Sequence, residues 1–147
     1  MCGDGPRTTG EPIRLLQVDD QPEFAELTAT FLEREDDDFD VEIATGTGEA
    51  MDRLAVDDVD CVVSDYDMRG RNGIEFLETL RESYPDLPFI LYTGKGSEEV
   101  ASDAISAGVT DYLQKEAGTG QYAVLANRVR NAVEKYRAQA ELADSRE

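Results

Sequence analysis

Short apolar runs alternate along this chain with longer stretches in which apolar residues return every three or four positions. The runs are Ile13–Val18, Phe39–Ala44, Cys61–Ser64, Pro88–Thr93 and Asp111–Leu113. Runs of this length between turn residues predict strands, and the near-continuously apolar ones predict strands covered on both faces. Phe39–Ala44 alternates apolar and polar instead, as a strand with one wetter face does. Between the runs, Gln21-Pro22-Glu23 opens a helix with proline and an acid in its first turn, and Phe24, Leu27, Phe31 and Leu32 give it an apolar face. Asp36-Asp37-Asp38 ends it. A short helix is predicted over Gly48–Ala55, and another over Ile74–Ser83 with Ile74, Leu77 and Leu80 inward. Ser97-Glu98-Glu99 opens a fourth helix that stops at Gly108, a good C-terminal cap. Strand and helix alternating five times predict an α/β, doubly wound parallel sheet.

From Gln121 to about Asp144 the pattern is helical throughout, longer than the usual dozen residues. Tyr122, Leu125, Val129, Ala132, Tyr136 and Ala143 recur at three- and four-residue spacing. Such a helix either packs its first half and overhangs with the rest, or pairs with another chain or leads into a further domain. The expected division is a loose tail over 1–12, a domain over 13–135 and a helical extension or linker over 136–147.

Composition narrows the picture. The 147 residues suit one domain with one core. No apolar stretch approaches a membrane span, and Met1–Arg7 lacks the apolar centre of a secretory signal, so a cytoplasmic protein is expected. Cys2 and Cys61 read as two reduced thiols. With 33 acidic residues against 14 basic, the net charge is −19. Direct nucleic-acid binding, which needs a basic patch, is not expected. The acids are spread along the chain and only Lys95, Lys115 and Lys135 are lysines. This composition resembles that of proteins from salt-loving microbes and predicts a fold that gains stability with salt.

Candidate chemistry sits where the apolar runs stop. Asp19-Asp20 follows the first run, Asp65 the third, Thr93 closes the fourth, and Lys115 follows the fifth. In an open parallel sheet, ligands bind at the carboxyl ends of the strands, so these residues should converge. Adjacent carboxylates raise one another's pKa unless a cation joins them. Mg²⁺ wants oxygen ligands and keeps several waters; Asp19, Asp20 and Asp65 can supply carboxylates and Asp67 a backbone carbonyl. Asp65 is the candidate nucleophile toward phosphorus, with Lys115 to neutralise the transferred oxygens and Thr93 to donate a hydrogen bond. Gly94 leaves room for a phosphoryl group against the backbone. Each residue alone has a plainer reading: a helix cap for Asp19-Asp20, a strand residue for Thr93, a solvated lysine for Lys115, a half-buried aromatic for Tyr112. The set is what points to phosphoryl chemistry.

Taken in order, Val18-Asp19-Asp20, Ser64-Asp65-Tyr66-Asp67-Met68, Gly73, Tyr92-Thr93-Gly94 and Asp111-Tyr112-Leu113-Gln114-Lys115 resemble the receiver domains of two-component response regulators, of the chemotaxis-regulator type. The resemblance covers roughly residues 13–135. It implies a flavodoxin-like fold, with strand order 2-1-3-4-5 and five flanking helices. It also implies that Asp65 accepts a phosphoryl group from a sensor histidine kinase, a phosphotransfer protein or a small donor, with slow self-dephosphorylation rather than turnover. Mg²⁺ is the implied cofactor, and Mn²⁺ can substitute. Asp20 and Asp65 would bind it directly, Asp19 through water and Asp67 through its carbonyl. Thr93 and Tyr112 would form the switch that alters the face of the fourth helix, fifth strand and fifth helix. The implied output is a downstream protein partner, a fused output domain, or a dimer through the last helix.

The chain departs from the family pattern in three places. Arg69 stands where a proline is usual, four residues after Asp65, and Glu116 stands where a proline after a cis bond is usual. A cis bond before a residue other than proline costs about 3 kcal/mol, so the Lys115–Glu116 bond is expected to be trans. The acid Asp67 and the base Lys95 flank the site and are expected to tune how fast the acyl phosphate hydrolyses. Two rival readings remain. An aspartate-nucleophile phosphatase of the haloacid dehalogenase type also uses Asp-x-Asp, Thr and Lys, but its metal-binding acidic pair comes late in the chain. A phosphorylation-independent interaction module would keep the fold alone. A P-loop is excluded, since neither Gly46-Thr47-Gly48 nor Gly94-Lys95-Gly96 continues into Gly-Lys-Ser/Thr.

Overall fold

Residues covered on both faces make the middle of the sheet and fix its order. The computed structural model describes residues 12–94, 98–115, 118 and 120–145, and of residues 143–145 the backbone alone. The elements run β1 (Ile13–Val18), α1 (Pro22–Glu35), β2 (Phe39–Ala44), α2 (Thr47–Val56), β3 (Cys61–Ser64), α3 (Gly73–Ser83), β4 (Phe89–Thr93), α4 (Glu98–Ala107), β5 (Asp111–Gln114) and α5 (Gly120–Ser145). All strand pairs are parallel, in the order β2-β1-β3-β4-β5. β3 and β4 are buried at every position, whereas the edge strand β5 is half-buried. The loose-tail expectation for residues 1–12 falls, Pro12 apart, outside the described residues, and so does Cys2.

Two apolar layers flank the sheet. On one face Leu16, Val18, Val62, Phe89 and Leu91 meet α2, α3 and α4 through Leu54, Phe76, Leu77, Leu80 and Ala104. On the other, Ile13, Leu15, Val63, Ile90 and Tyr92 meet α1 and α5 through Leu32, Leu125, Val129 and Val133. Burial of this kind stabilises by about 25 cal/mol for each Å² of apolar surface removed from water. Cys61 lies wholly buried in this second layer, and burial pushes its thiol pKa up, so it stays protonated and inert. Among the described residues, no helix is long and apolar enough to cross a membrane.

Helix α1 turns a different face to the sheet than its large apolar residues predict. Ala25, Thr28, Ala29 and Leu32 are buried, while Phe24 and Leu27 are exposed. Positions 25, 28, 29 and 32 form a helical stripe of mostly small side chains, and small side chains let a helix lie close to a sheet. Phe31 points sideways and stacks on Tyr122 of α5, with centroids 4.8 Å apart. Helix α3 begins with a capping box: the Asn72 side chain accepts from the Glu75 amide and the Glu75 carboxylate accepts from the Asn72 amide. Gly108, with φ of +95°, closes α4 in the left-handed conformation that favours glycine.

Helix α5 is buried through Tyr122, Leu125, Ala126, Val129 and Val133. Its arginines then tie it to the amino-terminal edge of the sheet. Arg130 donates to Asp36 at 2.7 Å and to Asp38 at 2.9 Å. One helical stretch later, Arg137 donates to the Pro12 carbonyl at 2.7 Å and to Asp60 at 3.2 Å. Residues 138–142 are exposed.

Candidate functional site

Strand register places the candidate residues side by side. Val18 is level with Ser64, Ser64 with Leu91, and Thr93 with Gln114. The residues that follow or close these strands therefore share one edge. Asp19, Asp20, Asp65, Thr93 and Lys115 all lie there. Backbone bonds carry the ladder one step beyond the strands: the Asp65 amide donates to the Val18 carbonyl and the Lys115 amide to the Thr93 carbonyl. The chain is thus held straight up to each functional side chain before it turns away.

Asp19 is almost wholly buried, with its Oδ1 accepting from the Gln21 amide at 3.0 Å. Burial holds its carboxyl above the ordinary value, against the pull of that hydrogen bond and of the Lys115 charge, and the charges of Asp65 and Asp20 add to the rise. Asp65 is half-buried and accepts from the Tyr66 amide at 2.8 Å, while the Ser64 hydroxyl donates to the Asp65 carbonyl. The Lys115 ammonium stands 3.7 Å from Asp65 Oδ2 and 3.8 Å from Asp19 Oδ2. Those are ion-pair distances but not hydrogen bonds, so the site is drawn together without being closed.

Two groups that the sequence pattern did not single out for this role complete the edge. The backbone amide of Arg69 donates to Asp20 Oδ2 at 2.9 Å, and its exposed guanidinium lies 3.8 Å from the same oxygen. A proline at position 69 would have no amide hydrogen to give. Phe24 places its ring 4.2 Å from the Lys115 ammonium. A helix start with proline at its first position could have flagged Phe24 as lying near Asp19-Asp20, but its apolar character drew it into the predicted core face. Gly73 lies beneath the site. A Cβ there would fall 2.3 Å from the Asp65 carbonyl oxygen and 2.8 Å from Leu91 Cδ1, so only glycine lets α3 start this close to β3.

Thr93 is fully buried at the end of β4, and Gly94 is exposed just beyond it. Tyr112 packs half-buried against the α2–α3–α4 layer, its hydroxyl enclosed without a hydrogen-bond partner among the described residues. Asp67 is exposed in the β3–α3 loop. Lys95, Glu116 and Ala117 lie outside the described residues, and with them the Lys115–Glu116 bond; Thr119 does too. Among the described residues, no three of Asp, Glu, His and Cys form a ready-made metal cage. A loosely gathered acidic edge suits Mg²⁺, which takes one or two carboxylates and otherwise keeps water or substrate oxygens.

Comparison with known proteins identifies the family and the fold. A family model described as the response regulator receiver domain matches residues 15–129. A putative response regulator NtrX-like from Rickettsia bellii is 30% identical over 118 residues, 79% of this chain and 24% of its own length. Response regulator Rre1 from Synechocystis is 36% identical over 107 residues, 71% of this chain and 46% of its own. This chain therefore spans less than half the length of these curated relatives. In structure, a CheY-like receiver domain protein from Methanospirillum hungatei overlays with a TM-score of 0.76 at 24% identity, covering 88% of this chain and 99% of its own.

Proposed function

The chain belongs to the response regulator receiver domain family, and from that premise we propose that it accepts a phosphoryl group on Asp65. The observation that carries the reading is that the Lys115 ammonium lies within 3.8 Å of both Asp19 and Asp65 at one sheet edge. The Asp65 carboxylate oxygen bonds to phosphorus as the bond from phosphorus to the donor breaks. Where the donor is a phosphohistidine of a sensor kinase or phosphotransfer protein, the imidazole leaves with the electron pair and takes a proton. The Lys115 ammonium faces the oxygens that carry the transferred charge, and Thr93 and Gly94 border the space they enter. Asp19, Asp20 and Asp65, with the Asp67 carbonyl, would hold Mg²⁺ or Mn²⁺, which when bound neutralises charge on the phosphoryl oxygens.

Thr93 and Tyr112 are the proposed switch, biasing the α4–β5–α5 face toward a downstream partner or a fused output domain. Asp67 and Lys95 are the proposed tuners of phosphoryl lifetime. Residues 13–135 form the proposed receiver unit and 136–147 the link to output or to a second copy. The acidic, lysine-poor composition supports a salt-rich cytoplasm as its setting.

Phosphorylation by acetyl phosphate with Mg²⁺ in high salt, read by intact mass, tests the proposal. The expected result is a metal-dependent gain of one phosphoryl group that Asp65→Asn abolishes. A folded wild-type protein that gains none overturns it.

A further inference from the structure

Lys115 leaves β5 with its ammonium near two carboxylates but within hydrogen-bond distance of neither, so neither fixes the direction of its flexible stem. Its side chain is only 15% exposed, which leaves little water to do so. Two aromatic faces lie beside it as well. The ammonium lies 4.2 Å from the centroid of Phe24 and 5.6 Å from that of Tyr92, both inside the range over which a ring attracts a cation. Tyr92 is a core residue of β4, and its hydroxyl is bonded to Gln121. Phe24 belongs to neither core layer and is 39% exposed, so core packing does not account for where its ring lies.

The position of Phe24 is also tied to the acids. It sits in the first turn of α1, whose start is set by Pro22 and by the bond from the Gln21 amide to Asp19. The short segment 19–24 therefore carries Asp19, Asp20 and the ring that faces Lys115. Attraction to a ring face orients the ammonium as a whole, and leaves N–H groups not aimed at the ring available to incoming oxygens.

Resting on the receiver reading above, we propose that Phe24 is a positioning residue for Lys115, holding the ammonium over Asp65 by a cation–π contact. Phe24→Leu keeps apolar bulk and removes the ring; Phe24→Trp keeps a ring. Two measurements separate the proposal from a general structural role. With lysines ¹³C-labelled, the three lysines of the chain give three ε-methylene signals. The Lys115 signal is expected upfield in the unphosphorylated wild type and in Phe24→Trp, and at an ordinary position in Phe24→Leu. In acetyl phosphate titrations with Mg²⁺, the maximal phosphorylation rate of Phe24→Leu is expected to fall about fivefold with little change in half-saturating donor, and Phe24→Trp to recover most of it. An ordinary Lys115 shift in the wild type overturns the proposal without any variant having to fold. So does a Phe24→Leu protein with wild-type rate, or equal loss in both variants. If the wild type takes no phosphoryl group, the receiver reading falls, and the Lys115 signal alone decides the contact.

Discussion

Acid gathers at both ends of the sheet, and the two ends treat it differently. At the amino-terminal edge, Asp36, Asp38 and Asp60 are met by Arg130 and Arg137 at 2.7 to 3.2 Å, each carboxylate hydrogen-bonded by a guanidinium. At the carboxyl-terminal edge, Asp19 and Asp65 share one lysine at 3.7 to 3.8 Å, and Asp20 has a backbone amide and a distant, solvated guanidinium. The directions of the carboxyl shifts follow. Hydrogen bonds from Arg130 hold Asp36 below its ordinary value, whereas burial holds Asp19 above its own. Three carboxylates meet two cations at each edge, but only the first edge is closed by hydrogen bonds from those cations. The second keeps a buried carboxylate without such a bond, which costs stability and suits the proposed binding of a cation and a phosphoryl group.

Forcing apart the close packing beneath the open edge is the most severe way to break this contrast. Gly73→Ala is expected to destabilise the fold by about 3 kcal/mol, because the new methyl meets backbone rather than a side chain that can swing aside. Urea unfolding measures the loss, and an unchanged midpoint would mean that α3 can retreat from β3 freely.

Arg130→Ala breaks the closed edge. A loss of roughly 2 kcal/mol at neutral pH is expected, typical of hydrogen bonds between charged groups, and it should carry a pH signature. Asp36 has a lowered folded pKa, so its contribution is fully present above the unfolded value of 3.8 and fades as pH falls through the lowered one. The difference between wild type and Arg130→Ala should therefore shrink in acid, as read by thermal unfolding across pH.

The smallest effect has the opposite sign. Asp19→Asn is expected to stabilise the metal-free protein by roughly 1 kcal/mol, since it removes a buried charge and keeps an oxygen for the Gln21 amide. Asp19 has a raised folded pKa, so the penalty it imposes is present above that pKa and relieved as pH falls through it. A destabilised Asp19→Asn protein would mean that the pairing with Lys115 outweighs the burial of the carboxylate.

Much of this architecture is legible in the sequence, and for a physical reason. A strand buried on both faces cannot hide its apolar run, so Cys61–Ser64 and Pro88–Thr93 announce themselves, and the groups at their ends with them. Strand register then needs no further information to bring Asp19, Asp65 and Lys115 together. The sequence pattern does not mark Arg130, because the acid it meets lies 94 residues earlier and only the folded chain brings them into contact. Phe24 is opaque for another reason. Hydrophobicity places it in a core, yet small Ala25 and Ala29 take that place, and the ring faces a charge instead. Pattern reports what prefers to leave water; it does not report which of two neighbouring stripes the sheet has space for.

Arg130 and Arg137 of α5 also set a phase. Arg130 and Arg137 stand seven residues apart, close to two helical turns, and pin the helix at two points on one side. A rod fastened twice cannot swivel about its long axis, so the direction in which each later side chain points is already decided at the sheet. Every residue added or removed between Arg137 and Glu141 would turn the end of the helix by about 100°. For anything joined to that end, the count of residues in the extension would matter as an angle, not as a length.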